Sequence, residues 1–323
     1  MRTSLEKITE IIKTYKTFAI YTHVHTDIDA VGSALALKNG LESLGKIANV
    51  FVDSQLPENA YFLKGASLIN NEKLKEYDVA VVLDLSDESR LGRLRYKYKK
   101  NTKVSICVDH HLDPDDFCRF AFVNDKVSST CELICELLKL LNVDFTQDIC
   151  KCLISGILTD TGGLKFSSAY PSTFKIVGEL LQKSGLAMDE ITYPLFNSKS
   201  IYEYNLWKVS INNTQLFYEN QFALITITQN DFKQTNTSMK DTKGLTDNAL
   251  LLESVKVVVL VSEDVDGIYY LSIRTKSPYS AKTIAEDFGG GGHLKAAGCK
   301  IAKSLEEAKT LIHQAVKKEF ENK

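Results

Sequence analysis

Three observations predict a protein of two α/β domains. Short β-branched runs alternate with helical patterns through the first half of the chain, the signature of a parallel sheet covered by helices on both faces. Beyond residue 212 the pattern changes to hairpin-like strands followed by a second strand and helix alternation, as expected of a smaller C-terminal α/β domain. A chain of 323 residues also exceeds what one hydrophobic core usually serves. The expected boundaries are 1–190 for the first domain, 191–211 for a helical linker and 212–323 for the second.

Taken in order, residues 1–14 mix charged and apolar residues at helical spacing, and Phe18 to Tyr21 form the first strand. A helix is expected over 30–44, strands over 47–52 and 79–83, a helix over 88–100 and a strand over 103–108. From 128 to 140, 147 to 159 and 171 to 181 the periodicity is helical and uninterrupted by strands. A more polar helical segment spans 191–210. Strands are then expected at 214–217, 222–228, 256–261 and 269–274, with a glycine cluster and a charged helix from Ser304 closing the chain.

Composition excludes several classes. With 39 basic and 41 acidic residues the net charge is -2, so no global positive field is present to hold a long polyanion. The longest apolar run, Val257 to Val261, is too short to cross a bilayer, and the first residues lack the apolar stretch of a signal peptide. Seven cysteines without a CxxC pair fit reduced thiols acting as small buried hydrophobes, and a cytoplasmic location.

The histidines carry the chemistry, because five of the six fall in three clusters, at 23 and 25, at 110 and 111, and at 293. His313 is expected on the solvated face of the last helix. His23, Asp27 and Asp29 follow the first strand, at the carboxyl edge where ligand sites of open α/β sheets lie; the alternative is a polar loop in which Asp29 caps the next helix. Asp84 ends the apolar strand 79–83, where an isolated aspartate would more often serve a turn. Asp109-His110-His111 ends the next strand, so three strands deliver acid or imidazole to one edge. Asp160 closes an apolar helix, where the helix dipole disfavours a carboxylate and calls for a cation. Four aspartates and two or three histidines in one cleft must raise their pKa values or bind cations. Carboxylate and imidazole without thiolate suit Mn²⁺, Mg²⁺ or Fe²⁺, with ligands enough for two ions, the arrangement that serves phosphate-ester hydrolysis.

These residues resemble the DHH/DHHA1 phosphoesterase family, and within it the stand-alone nanoRNase and pAp phosphatase group. His23 to Ser33 is similar to the family's first motif, Asp84 to the second, Asp109-His110-His111 to the third and Asp160 to the fourth; Arg90-Leu91-Gly92 and Ser128-Ser129-Thr130 also resemble stretches between motifs. Thr26 and Ile28 depart from the proline and glycine usual there, and His25 stands where asparagine is common. The resemblance implies one metal on His23, Asp27 and Asp84, and a second on Asp29, Asp84, His110 and Asp160. It further implies that Asp109 orients a neighbour, that His111 reaches the scissile phosphate, and that the metals are two divalent ions, Mn²⁺ first.

In the second domain Arg274 and Lys276, with Gly290, Gly291, Gly292 and His293, resemble the DHHA1 substrate-binding signature. Glycines allow close backbone approach to a phosphate or base, and arginine offers a two-pronged hydrogen-bonding fork. The basic and aromatic run 93–100 reads as the solvated end of a helix rather than an RNA track. The expected function is hydrolysis of short RNA, mononucleotide or dinucleotide substrates, including 3′-phosphoadenosine-5′-phosphate, with no membrane partner and a homodimer left open. The alternatives are a cyclic or linear dinucleotide phosphodiesterase, an inorganic pyrophosphatase and a non-catalytic nucleotide-binding module.

Overall fold

The computed structural model describes residues 2–85, 87–100, 102–111 and 117–322. The chain divides into two compact units, Met1–Ser198 and Lys199–Lys323. The segment 191–211 is divided between them.

In the first unit the elements run α1 (Leu5–Thr14), β1 (Thr17–Tyr21), α2 (Ile28–Ser43), β2 (Ile47–Phe51), β3 (Tyr77–Leu83), α3 (Leu94–Lys100), β4 (Thr102–Asp109), β5 (Phe120–Val123), α4 (Thr130–Leu140), α5 (Gln147–Asp160), α6 (Pro171–Ser184) and α7 (Asp189–Thr192), the last continuing into a wide π turn at Tyr193–Asn197. The five strands pair in the order β2-β1-β3-β4-β5, all parallel. Alternate residues of each strand face opposite layers. Phe18, Ile20, Val79, Val81, Ile106 and Val108 pack with α1, α2, α4, α5 and α6, whereas Ala19, Tyr21, Ala80, Val82 and Cys107 pack with Tyr98 of α3. Burial on both faces explains why these strands read as continuous apolar runs. The strand order reverses direction between β1 and β3, which opens a crevice at their carboxyl ends.

Helix α2 starts in that crevice, and its path is set by two glycines. A Cβ on Gly32 would fall 2.5 Å from the Cys152 carbonyl oxygen of α5, and one on Gly156 would fall 2.7 Å from Asp29 Oδ1. Helices α2 and α5 therefore cross with backbones nearly touching. The same close approach brings the first turn of α2 beside the last turn of α5.

The second unit contains α8 (Ile201–Asn212), β6 (Thr214–Phe217), β7 (Phe222–Ile227), α9 (Gln229–Thr235), α10 (Leu245–Leu250), β8 (Val257–Glu263), β9 (Tyr269–Thr275), α11 (Ala281–Glu286), β10 (Gly291–Gly292), β11 (Ala296–Ile301) and α12 (Leu305–Glu321). Its six strands lie in the order β10-β11-β9-β8-β7-β6, antiparallel except for β7 with β8. One face packs on α11 and α12 through Leu271, Ile273, Ile284, Ile312 and Val316; the other packs on α8, α9 and α10 through Leu206, Phe232, Leu245, Val258 and Leu260.

Four sequence expectations need adjustment. The helix expected over 88–100 is broken into a 3₁₀ turn, Glu88–Leu91, and α3, because Gly92 adopts φ +57° and Asp53 takes the Arg93 N–H at 2.6 Å. Strand β5 had no assignment, since four residues following a polar loop give little periodicity; Thr3 donates to its Ala121 carbonyl at 2.8 Å. In the second unit the short helices α9, α10 and α11 and the strand β11 were likewise unassigned. His313 does not stand in solvent: it packs edge-on against Phe217, with ring centroids 4.3 Å apart. The seven cysteines are free, six of them buried.

The α2–α5 crossing yields a stability test. Gly32→Ala places a methyl group against a backbone carbonyl that cannot rotate away, and overpacking of this kind costs about 1–3 kcal/mol. A denaturant midpoint unchanged from the parent protein would contradict the packing described.

Candidate metal centre

Loop 22–27 leaves β1 at the crevice and is held from two sides. Thr22 donates to the Phe51 carbonyl at 3.4 Å and Thr26 N–H to Ser54 Oγ at 3.4 Å, while Val24 N–H donates to the Arg90 carbonyl at 2.7 Å. Gly92 makes the second contact feasible, because a Cβ there would meet Val24 Cγ1 at 2.7 Å. His23 is buried, and its Nδ1 meets the Val24 carbonyl at 2.7 Å. That bond puts a proton on Nδ1 and turns Nε2 toward Asp84 Oδ2 at 3.4 Å and Asp27 Oδ2 at 3.9 Å. Burial pulls the His23 pKa down, but the Asp84 carboxylate and the Val24 carbonyl outweigh it and the net shift is upward.

The helix cap of α2 is Asp27, whose Oδ1 accepts from Ala30 N–H at 3.0 Å, rather than Asp29. Asp29 is fully buried and sits on the N-terminus of α4: Oδ2 accepts from Thr130 N–H at 2.7 Å and Oδ1 from Cys131 N–H at 3.0 Å. Two amide donors and the helix dipole favour the anion. Burial and then the neighbouring Asp84 charge oppose it, and its pKa is pushed up to about 7.

Asp84 follows β3 in a left-handed conformation, φ +58°, which is costly for a residue other than glycine and is found where surrounding structure enforces it. The strain turns a nearly inaccessible carboxylate into the middle of the cluster. Its Oδ1 accepts from Thr130 Oγ1 at 3.0 Å and lies 3.5 Å from His110 Nε2; its Oδ2 faces His23. Burial pushes its pKa up, but hydrogen bonds from His110 and His23 prevail and hold it well below the usual carboxylate range.

His110 Nε2 also lies 3.4 Å from Asp160 Oδ2. Burial lowers its pKa, yet the surrounding carboxylates, Asp84 foremost, push it up to about 9. Asp160, at the carboxyl end of α5, is pushed up to about 10 by burial and by the charges of Asp29, Asp84 and Asp27. Asp109 is fully buried and grips His111, accepting from its backbone N–H at 3.2 Å and its Nδ1 at 2.7 Å. That carboxylate raises the His111 pKa and leaves Nε2 as the free nitrogen of a half-exposed ring. Asp109 Oδ2 is buried and has no hydrogen-bond partner among the described residues.

Potential ligand atoms thus gather in overlapping groups, each within 4.8 Å: His23, Asp27 and Asp84; Asp29, His110 and Asp160; and Asp84, His110 and His111. The donors fit a divalent cation, being carboxylate oxygens and imidazole nitrogens that otherwise oppose one another. In the third group the only His111 nitrogen near Asp84, at 3.7 Å, is already committed to Asp109. His25 is exposed at φ +57° and joins none of these groups; a left-handed position suits Asn and His among non-glycine residues. Thr130 and the α4 amides were not identified as site groups from sequence, although Ser129-Thr130-Cys131-Glu132 carries the serine cap and third-position glutamate of a helix start.

In the second unit Arg274 pairs with Ala296 across β9 and β11, and its Nη1 donates to the Ile273 carbonyl at 3.0 Å. Lys276 Nζ donates to the Leu252 carbonyl at 2.8 Å. Gly290 and Gly292 serve close packing: Cβ atoms there would meet Cys299 Cα at 2.9 Å and Ala296 O at 2.6 Å, respectively. Gly291 faces open space, and the exposed His293 donates its N–H to the Ala296 carbonyl at 2.8 Å. Arg274, Gly291 and His293 therefore border one end of the sheet. The basic run is largely spent on ion pairs, Arg93 with Asp53 at 2.6 Å, Lys97 with Glu72 at 2.9 Å and Lys99 with Glu88 at 2.9 Å.

Both units match known protein families. Residues 17–157 match the DHH family N-terminal domain, and residues 220–322 match the DHHA1 domain. The chain is 29% identical over 305 residues to the bifunctional oligoribonuclease and PAP phosphatase NrnA of Thermus thermophilus, covering 93% of this chain and 89% of that protein. An exopolyphosphatase-related protein from Bacteroides fragilis superposes with a TM-score of 0.88 at 28% identity, covering 97% of this chain and 95% of the other. RecJ of Thermus thermophilus, solved with Mn²⁺, shares the fold at 14% identity with a TM-score of 0.55, over 97% of this chain and 55% of RecJ.

Thr130 offers a direct test of the site's electrostatics. Thr130→Val keeps the shape but removes the hydroxyl donor to buried, ionised Asp84, a bond worth about 1.5–3 kcal/mol. Chemical unfolding in EDTA should show that loss, whereas equal stability of the two proteins would mean the hydroxyl is not bonded to an ionised carboxylate.

Proposed function

The chain belongs to the DHH/DHHA1 family, and from that premise we propose that it is a two-metal phosphoesterase hydrolysing short oligoribonucleotides and converting 3′-phosphoadenosine-5′-phosphate to AMP. The observation that carries the reading is the position of Asp84, whose two oxygens face separate histidines, His23 and His110, each backed by a further aspartate. A carboxylate so placed is suited to be shared between two cations.

His23, Asp27 and Asp84 would hold one ion, and Asp29, Asp84, His110 and Asp160 the other. Mn²⁺ is the preferred metal for this donor set, with Mg²⁺ or Fe²⁺ as substitutes. When bound, the pair supplies Lewis-acid polarisation of the phosphoryl group and the means to ionise water at neutral pH. The protein's own residues complete the chemistry. Asp109 accepts from His111 Nδ1 and favours the protonated ring, and the imidazolium can donate from Nε2 to a non-bridging phosphate oxygen where charge accumulates in the transition state. Asp29, anchored on the α4 amides, resists movement during turnover.

The reading extends to the second unit, where Arg274, Lys276, Gly290, Gly291, Gly292 and His293 contribute substrate binding. Gly291 presents an unobstructed backbone, and Arg274 keeps donors beyond the one used on Ile273. The relative from Thermus thermophilus, named an oligoribonuclease and PAP phosphatase, supports this substrate class. Free thiols fit a reducing compartment, hence the cytoplasm. No helix among the described residues is long and apolar enough to cross a membrane.

Three experiments test the proposal. Asp84→Asn, which tolerates the left-handed backbone better than alanine, should remain folded by circular dichroism and lose hydrolysis of RNA dimers and of 3′-phosphoadenosine-5′-phosphate. EDTA should silence the parent protein and Mn²⁺ restore it; a fully active Asp84→Asn protein contradicts the shared-carboxylate mechanism. Arg274→Ala should raise KM mainly for substrates bearing a terminal phosphate, and an equal rise for substrates lacking it would remove Arg274 from that role.

A further inference from the structure

The loop that leaves Asp160 carries an aromatic ring with no part in the core. Thr161 ends α5, and Gly162, Gly163 and Leu164 follow with φ of +58°, +73° and +65°, three successive left-handed residues. They turn the chain so tightly that the N–H groups of Lys165 and Phe166 both donate to the Thr161 carbonyl, at 2.9 and 3.0 Å. Ser168 Oγ then reaches back to the Asp160 carbonyl at 3.3 Å. The loop therefore begins and ends at Asp160.

Within it the side chains divide. Leu164 packs against the hydrophobic core. Phe166 belongs to no core cluster of the described residues and remains 60% exposed. Its ring is nevertheless fixed from beneath, because it lies over Gly162, where a Cβ would come within 2.6 Å of the ring's Cε atoms. One face rests on backbone and the other is open. The adjoining Gly163 is itself beside Phe196, 3.9 Å from where its Cβ would stand. Of these three residues only Leu164 is strained, since glycine takes a left-handed conformation freely, and core burial rewards Leu164 while Phe166 is left exposed.

We propose that Phe166 is a stacking platform for a nucleobase of the substrate, the base attached to the nucleotide whose phosphate lies at Asp160. The inference rests on the phosphoesterase reading above and adds a determinant to it. A metal centre recognises only phosphate, whereas every nucleobase offers a π face to an exposed ring supported on one side, at little entropic cost. The ring's attachment to a ligand-bearing loop fixes the spacing between base and phosphate. The platform is tolerant of base identity, because stacking does not read hydrogen-bonding edges.

The test uses the full chain with Mn²⁺ and a 5′-phosphorylated RNA dinucleotide, compared with two analogues in which one base or the other is replaced by hydrogen. Phe166→Ala should raise KM for the intact dinucleotide about tenfold with kcat within about twofold. Phe166→Leu, which keeps the apolar bulk but lacks the π face, should behave like the alanine variant, and Phe166→Trp should restore the parental KM. One of the two abasic analogues should give the same KM with parent and Phe166→Ala. An unchanged KM for the intact dinucleotide, a leucine variant equal to the parent, or an equal rise for both abasic analogues would overturn the platform. A parent protein inert toward every substrate would instead reject the phosphoesterase reading, and this inference with it.

Discussion

Asp27, Asp29, Asp84 and Asp160 occupy one partly desolvated crevice, and the energetics of the first unit turn on how their mutual repulsion is cancelled. Protonation is one route, and the upward pKa displacement of Asp29 and Asp160 is its trace. Cations are the other route and the more favourable one, since a divalent ion neutralises charge without sacrificing the oxygens that surround it. The two histidines that face Asp84 are the protein's own partial answer. Their raised pKa values report a demand for positive charge that imidazolium can meet only in part.

The fold brings these groups together by means that are separable from the chemistry. A parallel sheet whose order reverses between β1 and β3 supplies the crevice. The glycine contacts between α2 and α5 then bring Asp29 and Asp160 from opposite helix ends to the same place. Helix α4 contributes no metal ligand of its own, yet it does much of the positioning. Its first amides hold Asp29, and its Thr130 hydroxyl holds Asp84. One helix N-terminus thereby fixes the relation between two carboxylates that come from different parts of the chain.

Much of this was legible in the sequence, for identifiable reasons. Buried parallel strands leave apolar runs, and polar residues directly after such runs must emerge at the carboxyl edge, so His23, Asp84 and His110 could be assigned to one edge by pattern alone. The role of Thr130 was not legible, because a threonine beside a serine cap looks the same whether its hydroxyl serves the helix or a distant aspartate. Nor could the sequence separate Asp27 from Asp29 as the cap of α2; only the meeting with α4 decides it. The glycine run of the second unit was read as freedom of approach to a ligand. At Gly290 and Gly292 the freedom is used by the neighbouring strand instead, whereas Gly289 and Gly291 face open space.

The distribution of positive charge argues for short substrates more strongly than net charge does. A long polyanion is held by a row of unpaired cations, each replacing released counterions. The basic run 93–100, where such a row would be expected, has Arg93, Lys97 and Lys99 directed into Asp53, Glu72 and Glu88. Lys103 beyond it is paired with Asp78. Turning those side chains to phosphate would exchange one ion pair for another with little net gain, so successive nucleotides along that surface would add no affinity. What remains is binding concentrated at the reacting phosphate and its immediate neighbours, which a nucleotide or a few-residue RNA satisfies as fully as a polymer.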